Sequence, residues 1–314
     1  MMKTNNEEPI FYGGQALIEG VMMRGKTSYA LAVRRPDGEI ELIDSPLPDK
    51  SKRNRILKLP LIRGIMEFGS SMKVGFKALS QSAEIAMGDE TEEPGRVERF
   101  LIKTFGEKLN KVLMGFAMVI AVVFGLGLFM LLPTWIGTML MPFVGPWVGV
   151  IEGLVRILIF ILYIILISQA RDIKRTFQYH GAEHMAINCH EQNLPLTHEN
   201  IEKCSRLHKR CGTSFLLVVM VISMILFMIL RIENVWLRFG SRILLLPLIA
   251  GLAYEVSVKW AGKRDNFLVK AVILPGMALQ RMTTGVPDAQ QIEVAVAALE
   301  RVMGAGEDNQ EINL

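Results

Sequence analysis

Cysteine and histidine are scarce in this 314-residue chain, and their scarcity is informative. Three thiols, Cys189, Cys204 and Cys211, do not make the even, spaced set of a secreted disulfide framework, and they read as reduced. The net charge of +4 is too small to argue for nucleic acid. Charged residues are missing altogether from Val112 to Ile151, and a window of about 20 apolar residues is what a helix needs to cross the hydrocarbon core. No comparable run lies upstream of it, so a cleavable signal peptide is not expected and the first span should direct insertion itself.

Three further apolar runs follow, Ile157–Ala170, Gly212–Leu230 and Ile243–Tyr254. The economical fold class is an α-helical integral membrane protein with about four transmembrane helices and a small mixed α+β N-terminal cytosolic region. Basic residues gather between the second and third spans (Arg171, Lys174, Arg175, Lys203, Arg206, Lys209, Arg210), which makes that linker cytosolic by the positive-inside rule. Arg231, Arg238 and Arg242, read as a loop after the third span, run mildly against the rule. Both termini come out cytosolic.

Residues 1–110 then form a cytosolic region, 111–260 the transmembrane domain with its His/Cys linker at 171–212, and 261–314 a cytosolic C-terminal region. In the first of these, ALAVRRPDGEIELID alternates on both sides of Pro36-Asp37-Gly38, a hairpin signal. The basic stretch Lys50, Lys52, Arg53, Arg55, Lys58 reads as a solvated loop, and Asp89–Pro94 as an acidic linker. Ile65, Phe68, Met72, Phe76 and Leu79 recur at helical spacing and predict an amphipathic helix turned toward the core. Glu152 and Arg156, four apart in the second span, are expected to neutralise one another. Asp288 reads as an N-cap, with Ile292, Val296, Leu299 and Met303 on one face of the helix behind it.

All five histidines and all three cysteines fall between His180 and Cys211. In YHGAEH, His180 and His184 stand at i and i+4, so on a helix both imidazoles project from one face and can hold one ion. Glu183 between them gives the H-x-x-E-H order, in which the glutamate is a base rather than a ligand. Thr197 looks like a helix start and Gly212 like a stop, which would line up Cys204, His208 and Cys211 as a stripe offering one or two more ligands. Glu255, near the cytosolic end of the last span, is a candidate third ligand. Cys189 reads as a buried thiol, and His190 and His198 as surface residues.

GGQALIEGVMMRG, YHGAEH followed by INC and SRLHKRCGTSF, LPLIAGLAYE and PGMALQRMTTGVPD, in this order, resemble the bacterial membrane family catalogued as domain of unknown function 1385, the YqhQ-like proteins. The resemblance spans essentially the whole chain. It implies a metal-dependent enzyme of undefined reaction in a bacterial cell membrane, and it falls on Gln15, Glu19, Arg24, His180, Glu183, His184, Cys189, His208, Cys211, Glu255, Gln280, Thr283 and Thr284. The chain departs from the pattern at Met185-Ala186, Lys209 and Gly285-Val286.

The expected function is therefore a membrane-embedded metal-dependent hydrolase at the cytosolic interface. A divalent metal, Zn2+ first, would sit on His180, His184 and one or more of Glu255, His208 and Cys211, with Glu183 as catalytic base. Arg24 or Arg206 is a candidate for steadying an oxyanion, and Gln15 and Glu19 for folding over the site. The alternative is a zinc-stabilised membrane scaffold whose shell closes on His180, His184, His208 and Cys211. A transporter is disfavoured because the polar groups gather at one membrane face. The partner implied is the lipid bilayer, with a homo-oligomer left open.

Overall fold

The computed structural model describes residues 12–48, 54–88, 109–230, 232, 234–260 and 267–311. Lys50, Lys52 and Arg53 of the basic stretch and the acidic linker at 89–94 lie outside them. The chain divides into two compact units, one of Met1–Gly88, Ile164–Val218 and Ala250–Leu314, the other of Asp89–Tyr163 and Val219–Ile249.

The first unit is built on an antiparallel meander, β1 (Gly13–Leu17), β2 (Gly20–Arg24), β3 (Ser28–Arg34) and β4 (Ile40–Pro46), in that spatial order. The predicted hairpin is β3–β4, with Gly38 at φ +90 in its turn. GGQALIEGVMMR forms a second hairpin, in which Leu17 pairs with Gly20 and Glu19 takes φ 51. Alternation assigns the two sheet faces. Leu17, Met22, Tyr29 and Leu31 face helix α1 (Ile62–Met87) through Ala78. Val21, Met23, Ala30 and Ala32 face the opposite way, into the main core.

The apolar stripe of α1 does not turn to that core. Gly64, Gly75 and Ala78 are buried, while Phe68, Met72, Phe76 and Leu79 stay exposed. Gly75 admits the Gln15 side chain of β1 and Gly64 the Gly251 backbone, so the face that packs is the one rich in small residues, and the expectation of a core-facing stripe is corrected.

On the other sheet face lie α5 (Arg171–Glu191) and α10 (Ala289–Glu311). Asp288 caps α10 as expected: its Oδ1 accepts the Gln291 N–H at 2.8 Å while Gln291 Oε1 accepts the Asp288 N–H at 2.9 Å, a reciprocal capping box. Ile292, Ala295, Leu299 and Val302 are buried along its length. Helix α9 (Phe267–Thr283) precedes it.

The second unit is helical. Helix α2 (Leu109–Leu126) passes through a π turn at Gly127–Leu131 into α3 (Leu132–Val144); Gly145, at φ +53, opens a short turn, and α4 (Val148–Ile167) follows. Helices α7 (Gly212–Leu230) and α8 (Val235–Tyr254) complete it, each also extending into the first unit. Among the described residues, three helical stretches are long and apolar enough to cross a membrane: Gly115–Ile167, Gly212–Leu230 and Trp236–Ser257.

Two charge assignments change. Arg238 and Arg242 belong to α8, not to a loop, and are buried. Glu152 pairs with Arg242 and with Arg238 rather than with Arg156, whose guanidinium goes to the Phe129 carbonyl and the Ser223 hydroxyl, both at 2.9 Å. A buried guanidinium reaches the best acceptors in three dimensions, and helical spacing along one strand of sequence is a weak guide to them.

Candidate metal centre

Helix α5 carries the motif and is buried from Tyr179 to Ile187 apart from His180, which is half-buried. The i, i+4 spacing does what the sequence required: the His180 and His184 rings meet edge to face with centroids 4.4 Å apart. Cys211 joins them from the chain just before α7, its Sγ 3.3 Å from His180 Nε2, and ligand atoms of His180, His184 and Cys211 all lie within 4.8 Å of one another.

The other ring nitrogens are committed. His180 Nδ1 donates to the Thr283 carbonyl at 2.8 Å and His184 Nδ1 to the Arg206 carbonyl at 2.6 Å. A carbonyl can only accept, so each Nδ1 carries a proton, and in the neutral tautomer so fixed the lone pair falls on Nε2. Metal-binding histidines are oriented by this same second contact. Gly181 makes the first carbonyl reachable, since a Cβ there would stand 2.1 Å from the Gly285 oxygen, and the 284–285 backbone crosses α5 at that gap. Two imidazole nitrogens and one thiolate are a donor set suited to zinc, and three protein donors leave a position open.

Glu183 lines the same pocket, of ≈ 350 Å³, which Gly13, Gly14, Gln15 and Ala16 of β1 wall on one side. Its carboxyl is buried, and Oε2 has no hydrogen-bonding partner among the described residues. Burial pushes its pKa up to about 7, partly offset by His180 and by the Ala16 N–H. Gly14 sits against this carboxyl so closely that a Cβ would come within 2.7 Å of it.

Not every expected residue is here. Glu255 is held by Arg63, which engages both carboxylate oxygens, and neither residue lines the pocket. His208 is at the pocket wall with its ring centroid 5.7 Å from that of His184, but its Nε2 faces Glu191 at 3.4 Å, and burial pushes it down to about 4. The expected ligand stripe on one helix does not form. Helix α6 (His198–Glu202) begins at its Thr197 cap and stops after five residues. Beyond it, side chains take over the backbone: Ser205 Oγ accepts the Leu207 N–H, and Gln280 accepts the His208 N–H and donates to its carbonyl, each at 2.9 Å. Cys204 is left in the core with Cys189, whose thiol burial pushes up to about 11.

Among the remaining positions, Glu19 braces α5 by accepting from Arg175 and from the Tyr179 hydroxyl. Arg24 donates to Ser71 and Arg206 to the Thr284 carbonyl, while the arginine that lines the pocket is Arg210, paired with Glu191. His190 stacks edge-on against Tyr12, and exposed His198 sits beside Glu202. The carbonyls of Thr283 and Arg206 and the clasp of Gln280 carry no signal in periodicity or spacing. Only the resemblance had marked Gln280 and Thr283.

The family described as "Protein of unknown function (DUF1385)" matches residues 59–305, and the "Uncharacterized protein YqhQ" of Bacillus subtilis (strain 168) is 36% identical over 314 residues, covering 98% of each chain. The chain belongs to the DUF1385 family. No solved structure matches it. The DUF1385 match includes His180, Glu183, His184, Cys211 and Thr283, whereas β1, which contributes Gly13–Ala16 to the pocket wall, lies before it.

Proposed function

We propose that this DUF1385 protein is a membrane-embedded metal-dependent enzyme, a hydrolase whose ion sits on His180, His184 and Cys211. The carrying observation is that both imidazoles commit Nδ1 to backbone carbonyls, that His180 Nε2 lies 3.3 Å from Cys211 Sγ, and that ligand atoms of His180, His184 and Cys211 stand within 4.8 Å of one another. A zinc-class ion held there would supply Lewis acidity toward a carbonyl and toward water. Glu183, on the same helix and in the same pocket, is the group to accept a proton, with Oε2 still uncommitted. Gly14 admits that carboxyl, and the Ala16 N–H steadies its charged form.

The three-donor arrangement favours an open site over the closed scaffold, because His208 is turned to Glu191 and Glu255 to Arg63. The surroundings fit a membrane location. Gly115–Ile167 is 53 residues long, about 80 Å of helix at 1.5 Å per residue and more than twice the hydrocarbon thickness, and it is broken at Gly145. Read as two passes it gives four crossings, with both termini and the site on the cytosolic side of a bacterial membrane. The exposed Phe68, Met72, Phe76 and Leu79 stripe of α1 suits the lipid interface.

Elemental analysis tests this reading on detergent-purified full-length protein, prepared without chelator. Wild type and Glu183→Gln should carry about one equivalent of transition metal, and His184→Ala and Cys211→Ala should lose it. Against a panel of fluorogenic amides and esters, Glu183→Gln should fall by about 10²–10⁴ relative to wild type. Wild type without stoichiometric metal, or Cys211→Ala retaining it fully, would overturn the assignment.

A further inference from the structure

The second unit hides an unbalanced charge. Glu152, Arg156, Arg238 and Arg242 are all buried, three guanidiniums against one carboxylate. Arg242 and Arg238 share Glu152, and Arg242 and Arg156 both lie over the Phe227 ring, with centroid distances of 5.0 and 5.8 Å. The site has been shaped around them. Gly137 makes room for Glu152, since a Cβ there would stand 2.2 Å from its Cγ, and Gly149 and Gly153 bring α4 against Met228 and Met224 of α7. The π turn at Gly127–Leu131 contains Phe129, whose carbonyl takes the Arg156 Nε–H.

Two threonines complete the surroundings as acceptors. Thr134 Oγ1 donates its proton to the Met130 carbonyl at 2.6 Å, and Thr138 Oγ1 to the Thr134 carbonyl at 2.7 Å. Their oxygens are thereby left to accept from Arg242 and Arg238. Even so, Nε of Arg238 and Nε of Arg242 are buried with no hydrogen-bonding partner among the described residues. Among the described residues these four groups carry a formal charge of +2, which is costly away from water unless a counter-charge and further acceptors are supplied. Ionisable groups inside a span are functional by default for that reason.

The same threonines wall a second pocket, of ≈ 460 Å³, whose other lining is Gly127, Leu131, Leu132, Trp135, Trp236 and Phe239. Trp135 and Trp236, 57% and 83% exposed, supply the aromatic walls of this pocket. An apolar slot of this size and a guanidinium cluster meet at Thr134 and Thr138. We propose that this unit binds an anionic amphiphile, its phosphate-type head group neutralising Arg238 and Arg242 and its alkyl chain lying in the pocket between Trp135 and Trp236. Guanidinium forks match phosphate oxygens bidentately, and the uncommitted Nε–H groups are the donors that such a head would use. This site is independent of the His/Cys centre and does not depend on the hydrolase reading.

Native mass spectrometry on the full-length protein from micelles holding equal phosphatidylglycerol and phosphatidylcholine tests it, alongside thermal shifts with short-chain phosphatidylglycerol and with inorganic phosphate. Wild type should retain the anionic lipid about 10-fold over the zwitterionic one, and Arg238→Gln should reduce that preference to near parity. Glu152→Gln removes the competing carboxylate, so retention of the anionic lipid should rise where a purely structural ion network would only be weakened. Leu131→Trp fills the pocket without touching any charge and should lower retention of phosphatidylglycerol. Equal retention of the two lipids by wild type, or a preference unaltered in Arg238→Gln and Leu131→Trp, would overturn the proposal. Stabilisation by inorganic phosphate with none by the short-chain lipid would do so too, since it would make the ligand a small anion.

Discussion

Replacing Glu183 with glutamine should stabilise the metal-free protein at alkaline pH, contrary to what loss of a buried charged residue usually suggests. The carboxyl is 4% exposed, and burial raises its pKa from an ordinary 4.5 to about 7. The folded protein therefore holds this proton more tightly than the unfolded chain does. Its stabilising effect is complete below about pH 4.5, declines as pH rises, and is gone once pH has passed about 7. A difference of about 2.5 units at 1.36 kcal/mol each corresponds to roughly 3 kcal/mol. Glutamine mimics the protonated acid and cannot ionise. Chelator-treated wild type and Glu183→Gln should melt together near pH 4.5 and diverge by several degrees by pH 8, with the variant higher, in tryptophan-fluorescence melts in detergent. Added metal should close the gap by stabilising wild type at high pH. A variant that melts below wild type at pH 8, or two melting curves with the same pH dependence, would refute the buried carboxyl with an uncommitted Oε2 on which the assignment of the base rests.

Three further outcomes follow from contacts already described. Glu255→Ala leaves Arg63 without its carboxylate and should cost about 1 kcal/mol or less, because both side chains are partly exposed, with metal content unchanged; loss of metal in that variant would restore Glu255 as a ligand. Gln280→Ala removes a fully buried amide that satisfies both backbone groups of His208 and should destabilise by roughly 2–3 kcal/mol, with faster hydrogen exchange around residue 208 as the local signature. Gly14→Ala drives a methyl into the Glu183 carboxyl and should cost about 1–3 kcal/mol in wild type. Thermal melts of the Gly14 variant at pH 6 and pH 8 will show whether the strain also alters the proton affinity of Glu183.

The long apolar helices were legible because charge-free runs of that length stand out in a sequence, and the pair of histidines because i, i+4 is a local rule that any helix obeys. What sequence reading missed depended on partners far along the chain. Glu255 looked like a ligand until Arg63, 192 positions away, came to meet it. The stripe of Cys204, His208 and Cys211 needed a helix that Ser205 and Gln280 dismantle, the second of them 72 residues downstream of His208. In α1, periodicity correctly announced a helix, but which face packs was decided by the small residues opposite the apolar stripe. Arg238 and Arg242 were misplaced for a related reason: within an apolar helix a buried arginine reads as a helix end unless its acid, here Glu152, is known.

The carbonyl that orients His180 belongs to Thr283, at the end of α9, and the core beneath α5 is closed by α10 from still later in the chain. On a ribosome, His180 and His184 emerge about a hundred residues before the groups that hold one of them in register. Through that interval His180 lacks the carbonyl that orients it, while His184 can already meet that of Arg206. The proposed metal site would thereby be complete only late in synthesis, and nascent chains paused before Thr283 should bind zinc more weakly than the full chain even though every donor atom has already been translated.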